Sequence, residues 1–155
     1  MSNAGPPATH RGLVPSPHVV LDTMVIMSAL IGDPNASSYR LCTALATGEI
    51  RLAISDDFLS ELYRVVGYPE VESKIVRSAR AFRIALDVGY MGIMHRVRRL
   101  DWPSIRDQND GWMLDLAWAA RADCIVTRDP HLMAADLPFP VEVLEPHQLL
   151  PRLRV

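Results

Sequence analysis

Apolar and polar positions along the chain change rhythm repeatedly, and each change marks an element. His18–Leu21 is a short, largely apolar run with two β-branched valines. It reads as a strand buried on both faces. Asp22 and Thr23 follow and can start a helix through Leu30, and Gly32-Asp33-Pro34-Asn35 is a turn cluster. Ser37 to Thr47 predicts a helix with Leu41, Ala44 and Leu45 on one face, stopped by Gly48. Arg51 to Ile54 predicts a second strand. Ser55-Asp56-Asp57 then offers side-chain oxygens to the free N–H groups of a helix running to about Val66. Phe58, Leu59, Leu62, Val65 and Val66 form its apolar stripe, and Gly67-Tyr68-Pro69 ends it.

Helical spacing returns from Val71 to about Val88, with Ile75, Ala79, Phe82 and Leu86 on one side. Lys74, Arg77, Arg80 and Arg83 form a solvated face on the other. Gly89 to Gly92 breaks this helix, Ile93 to Val97 predicts a third strand, and Arg98 to Asp110 reads as loop. Trp112 to Ala122 is apolar nearly all round and predicts a well-buried helix. Cys124–Thr127 and Val141–Leu144 predict two more strands, and Pro146–Leu150 a short closing helix. Strands alternating with helices imply an α/β fold: a central parallel sheet with helices on both faces. In such folds ligands collect at the carboxyl ends of the strands.

Composition adds limits. A chain of 155 residues, 49% hydrophobic and 22% charged, suits one globular domain. The Gly-, Pro- and Ser-containing stretch 1–17 predicts a disordered lead-in, leaving 18–155 as the domain. It contains no hydrophobic signal region. No apolar run is long enough to cross a membrane. The net charge of -2 excludes a protein that binds phosphates through its overall field, so contact with nucleic acid needs a local patch or a metal. Cys42 and Cys124 lack metal or redox spacing and sit in apolar stretches. They read as buried free thiols of a cytoplasmic protein.

The chemistry lies in the acids. Asp22 directly follows the first strand, and Asp129 follows the fourth. Asp110 precedes the helix leading into the fourth strand, and the N-terminus of such a helix lies at the carboxyl edge of the sheet. Glu61 sits near the start of the helix after the second strand, beside its apolar stripe, and helical side chains lean toward the N-terminus. Four carboxylates from four distant segments therefore converge on one edge. Mutual repulsion makes that costly without a cation. Oxygen-only ligands favour a hard ion, Mg²⁺ or Mn²⁺, which polarises a phosphoryl oxygen and activates water.

At these residues the sequence resembles the PIN-domain family, most closely its bacterial VapC-like branch of toxins from toxin–antitoxin pairs. Val19-Val-Leu-Asp-Thr-Met-Val-Ile-Met-Ser-Ala-Leu30 carries the first acid. Ser55-Asp-Asp-Phe-Leu-Ser-Glu-Leu-Tyr-Arg-Val-Val66 carries the second. Asp107-Gln-Asn-Asp110, Leu114-Asp-Leu-Ala117 and Ala122-Asp-Cys-Ile-Val-Thr-Arg-Asp129 carry the third and fourth, and Val143-Leu-Glu-Pro146 matches the closing strand and turn. The resemblance spans about His18 to Leu150. It implies a three-layer αβα sandwich, Mg²⁺- or Mn²⁺-dependent cleavage of RNA with Asp22, Glu61, Asp110 and Asp129 as metal ligands, a homodimer, and a cognate antitoxin as partner. The chain departs from the pattern at Met24, where a small polar residue is usual, at Asn109, where an acid is expected, and at Trp112, in place of a lysine. A degenerate PIN-like module that binds RNA or protein without cutting is the alternative.

Other residues carry less. Thr127 can orient a carboxylate or simply end its strand. Asp107 can support the site from outside or cap a turn. Arg106 and Arg128 flank the acidic motifs as candidate RNA-phosphate contacts. Asp115 lies on a different helix face from Asp110. A receiver-type phosphotransfer domain needs a lysine at a late strand end, and a haloacid-type phosphatase needs an acid two residues after the first. Lys74 and Met24 satisfy neither.

Overall fold

The computed structural model describes residues 16–32, 35–66, 87, 91–103, 105 and 110–153. The helix expected over 71–88 (Asp87 apart), with its arginine face, and Arg106, Asp107 and Asn109 lie outside these residues.

The described elements run β1 (His18–Leu21), α1 (Thr23–Ile31), α2 (Ser37–Ala46), β2 (Arg51–Ile54), α3 (Asp56–Val66), β3 (Ile93–Met94), α4 (Gly111–Ala120), β4 (Cys124–Val126), α5 (Pro130–Met133), β5 (Glu142–Leu144) and α6 (Pro146–Leu149), closed by a 3₁₀ turn, Leu150–Arg152. The strands form one sheet in the order β3-β2-β1-β4-β5, and every pairing is parallel. His18 pairs with Arg51 on one side of β1, and Val19 with Cys124 on the other. β1 is thus the middle strand. Val19, Val20 and Leu21 are fully buried, which is why its sequence is a continuous apolar run and not an alternating one. Helices flank the sheet: α4 packs on β1, β2 and β4, and α1 packs on α2 and α3.

Local chemistry sets the helix boundaries. Ser55 Oγ accepts the N–H of Phe58 at 3.1 Å and caps α3. Gly48 takes a φ of +81° after α2, a left-handed conformation that ends the helix without Cβ strain. At the end of α4 a non-glycine residue, Arg121, occupies the same region with φ 51°.

Three expectations shift. β3 is two exposed residues long and not five, an edge strand that among the described residues pairs with β2 alone. α4 is buried from Met113 to Ala117, but its last turn emerges, with Trp118 55% exposed and its ring edge-on to Phe139. A short helix not anticipated from periodicity, α5, forms because Asp129 caps it and Pro130 opens it. Ahead of β1, Arg51 donates its Nε to the Ser16 carbonyl at 3.0 Å and its N–H to the Pro17 carbonyl at 2.8 Å. Cys42 and Cys124 are free thiols, and burial pushes them up to about 11 and about 12. Among the described residues no helix is long and apolar enough to cross a membrane.

Candidate functional site

β1 ends at Leu21, and the Asp22 N–H donates to the Val126 carbonyl of β4 at 2.9 Å. This tie places Asp22 at the carboxyl edge, in the middle of the sheet. Its carboxylate is held at both oxygens. Oδ1 accepts the N–H of Met24 at 3.1 Å, capping α1, and Oδ2 accepts the hydroxyl of Thr127 at 2.8 Å. Thr127, fully buried one residue past β4, also accepts the N–H of Asp129 through the same hydroxyl at 3.0 Å. Asp129 in turn accepts the His131 N–H at 2.9 Å as the cap of α5. One buried hydroxyl thus links the first acid to the segment that carries the fourth.

A cleft of about 630 Å³ opens at this edge, and its walls include Asp22, Glu61, Asp110 and Asp129. The four acids come from four segments distant in the chain, brought together by the parallel crossovers. Arg64, Trp112 and the half-exposed Met24 also line it, with Thr23 and Met113. Asp110 stands immediately before α4 without capping it. Glu61 is turned along its own helix, where Arg64 grips both carboxylate oxygens and donates its Nε at 3.0 Å.

The donor set suits a hard divalent cation in kind: oxygen only, anionic, and partly enclosed. It does not suit one in spacing as it stands. Among the described residues no three His, Cys, Asp or Glu side chains are gathered closely enough to hold a metal. The Glu61–Arg64 pair holds one of the four acids, and it is weak. Arg64 is 57% exposed, and such an i,i+3 pair contributes about 0.5 kcal/mol or less.

Other expected residues fall elsewhere. Arg128 does not line the cleft, and its guanidinium reaches Ser37 Oγ at 3.4 Å. Buried Asp115 accepts the Leu100 N–H at 3.0 Å and the Trp102 indole N–H at 2.7 Å, fastening the loop before α4 to that helix. Arg64 was missed by sequence reasoning, although its spacing from Glu61 was a readable signal.

Residues 18–131 match the PIN domain family over most of the chain. The chain belongs to the PIN-domain family. Among solved structures, this PIN domain is similar to VapBC2 from Rickettsia felis, crystallised bound to a DNA fragment from its promoter. The two share 20% identity over 81% of this chain and 98% of the other, with a TM-score of 0.49. No curated protein matches this PIN domain.

Proposed function

We propose that this PIN domain is a divalent-metal-dependent endoribonuclease, with Asp22, Glu61, Asp110 and Asp129 as the ligands of Mg²⁺ or Mn²⁺. The observation that carries the reading is the cleft itself: four acids from four segments line it at the carboxyl edge of the parallel sheet. A bound divalent ion would lower the pKa of a coordinated water and polarise a phosphoryl oxygen. The protein supplies the rest. Thr127 orients the Asp22 carboxylate and the segment bearing Asp129, and Arg64 pairs with Glu61 at the cleft wall. Cleavage of single-stranded RNA is expected to require Mg²⁺ or Mn²⁺ and to stop in excess chelator. Full activity in chelator overturns the reading.

A second reading, a module that binds RNA or protein without cutting it, is favoured by the closed Glu61–Arg64 pair. Metal binding with no cleavage across a panel of RNAs supports it. The resemblance of the sequence to bacterial toxins extends the proposal to a cytoplasmic toxin of a toxin–antitoxin pair, a homodimer silenced by a small cognate protein. Light scattering checks the dimer, and co-purification of a small protein bound to the chain from its native cells checks the partner.

A further inference from the structure

Two clefts meet at one wall. The acid-lined cleft and a second of about 450 Å³ share Glu61, Arg64 and Trp112, and the second extends past them to Arg99 and Leu100. Trp112 stands in the first turn of α4, half-buried. Its ring meets that of Phe58, which is fully buried, with centroids 5.7 Å apart and planes at 48°. A ring braced by the core and bordering two clefts is a rigid platform for a planar group, since little side-chain entropy remains to be lost on binding. Arg64 and Arg99 border the same second cleft. Asp57 and Asp115 border it too. Asp115 takes the Leu100 N–H and the Trp102 indole through one oxygen, so it acts as a positioning residue that fixes the Arg99–Leu100 segment against α4.

We propose that the second cleft is the track along which single-stranded RNA leaves the acid cleft, one unpaired base stacking on Trp112 and the flanking phosphates meeting Arg64 and Arg99. The inference rests on the nuclease reading. Three features select this occupant. An aromatic platform beside guanidinium groups is the chemistry that holds single strands irrespective of base. The platform is continuous with the site where the phosphodiester is to be cut. A base already stacked within a duplex cannot present its face to Trp112. The net charge of -2 gives no general attraction for nucleic acid, so local contacts must supply the grip.

The test is made on the full chain with a short fluorescent single-stranded oligoribonucleotide and its duplex. Cleavage in Mg²⁺ yields KM and kcat, and anisotropy in an Asp22→Asn background yields Kd with the RNA intact. Trp112→Leu keeps apolar contact with Phe58 but removes the stacking face. It is expected to raise Kd and KM about tenfold or more, with the loss falling on KM more than on kcat. Trp112→Phe should retain most of the affinity. Arg99→Gln, at an exposed position, tests the track without disturbing the core even if the Trp112 variants fold poorly. It should weaken binding and flatten the dependence of log Kd on log salt by about 0.7. A parent that neither cleaves nor binds RNA overturns the nuclease reading and the track with it. A parent that cleaves, with Arg99→Gln and Trp112→Leu unchanged in KM and Kd or with duplex bound as tightly as single strand, overturns the track alone.

Discussion

Both oxygens of Asp22 are engaged before any ligand arrives, one by the Met24 N–H and one by the Thr127 hydroxyl. Replacing it with Asn therefore has two opposed effects on the apo protein. Loss of one negative charge from the acid-lined cleft relieves repulsion by about 1–2 kcal/mol. Asn caps helices well and keeps an oxygen for Met24, but the Thr127 hydroxyl loses its carboxylate acceptor, at about 1 kcal/mol. Asp22→Asn is thus expected to leave apo stability within about 1 kcal/mol of the parent, as read by urea unfolding. RNA cleavage should fall by orders of magnitude. A variant that unfolds without metal marks Asp22 as chiefly a structural cap, and one that cleaves at the parental rate removes it from the site.

At the scale of elements, α4 and β1 each carry a local misfit. Arg121 ends α4 in the left-handed region, which costs a side-chain-bearing residue about 1 kcal/mol. Arg121→Gly should raise stability by about 0.5–1 kcal/mol, since glycine adopts this conformation without Cβ strain. An unchanged or lower midpoint in urea contradicts that account. At the start of β1, His18 is buried, its ring 5.2 Å from that of His95, and neither Nε2 has a hydrogen-bond partner among the described residues. Burial lowers its pKa, the charges of Arg51 and His95 lower it further, and Asp123 opposes them. The unfolded chain then binds the proton more readily than the native one, so His18 makes stability fall as pH drops below about 6.5 toward the folded-state value. His18→Gln should unfold with a weaker pH dependence between about pH 7 and 5. An identical dependence shows that His18 does not contribute.

For the whole molecule the consequence of the cleft is linkage. On the proposed metal site, a cation held by the cleft carboxylates and bound poorly by the unfolded chain would stabilise the native state, so Mg²⁺ or Mn²⁺ should raise the melting temperature. At a hundredfold excess over Kd the stabilisation is about 2.7 kcal/mol, which for a chain of this size is a shift of several degrees. Asp22→Asn and Asp129→Asn should lose most of that shift. A parent melting temperature indifferent to either ion argues against a metal centre.

Much of this architecture was legible in the chain because it depends on short-range chemistry. The run His18–Leu21, the Ser55 cap, the Gly48 stop and the alternation of elements each act within a few residues, and strands alternating with helices already implied a parallel sheet. The acids at strand ends were legible for the same reason, since element ends locate them along the chain. What the pattern could not hold was anything set by partners distant in sequence. That α4 surfaces at Trp118 depends on where Phe139 lies. That β3 is a two-residue edge strand, paired among the described residues with β2 alone, depends on its place in the sheet. That Asp115 fastens a loop depends on the position of Leu100 and Trp102. Periodicity reports which residues can be buried, but only the tertiary structure decides what they meet. The Thr127 hydroxyl between Asp22 and Asp129 exists because two parallel strands 105 residues apart in sequence lie side by side.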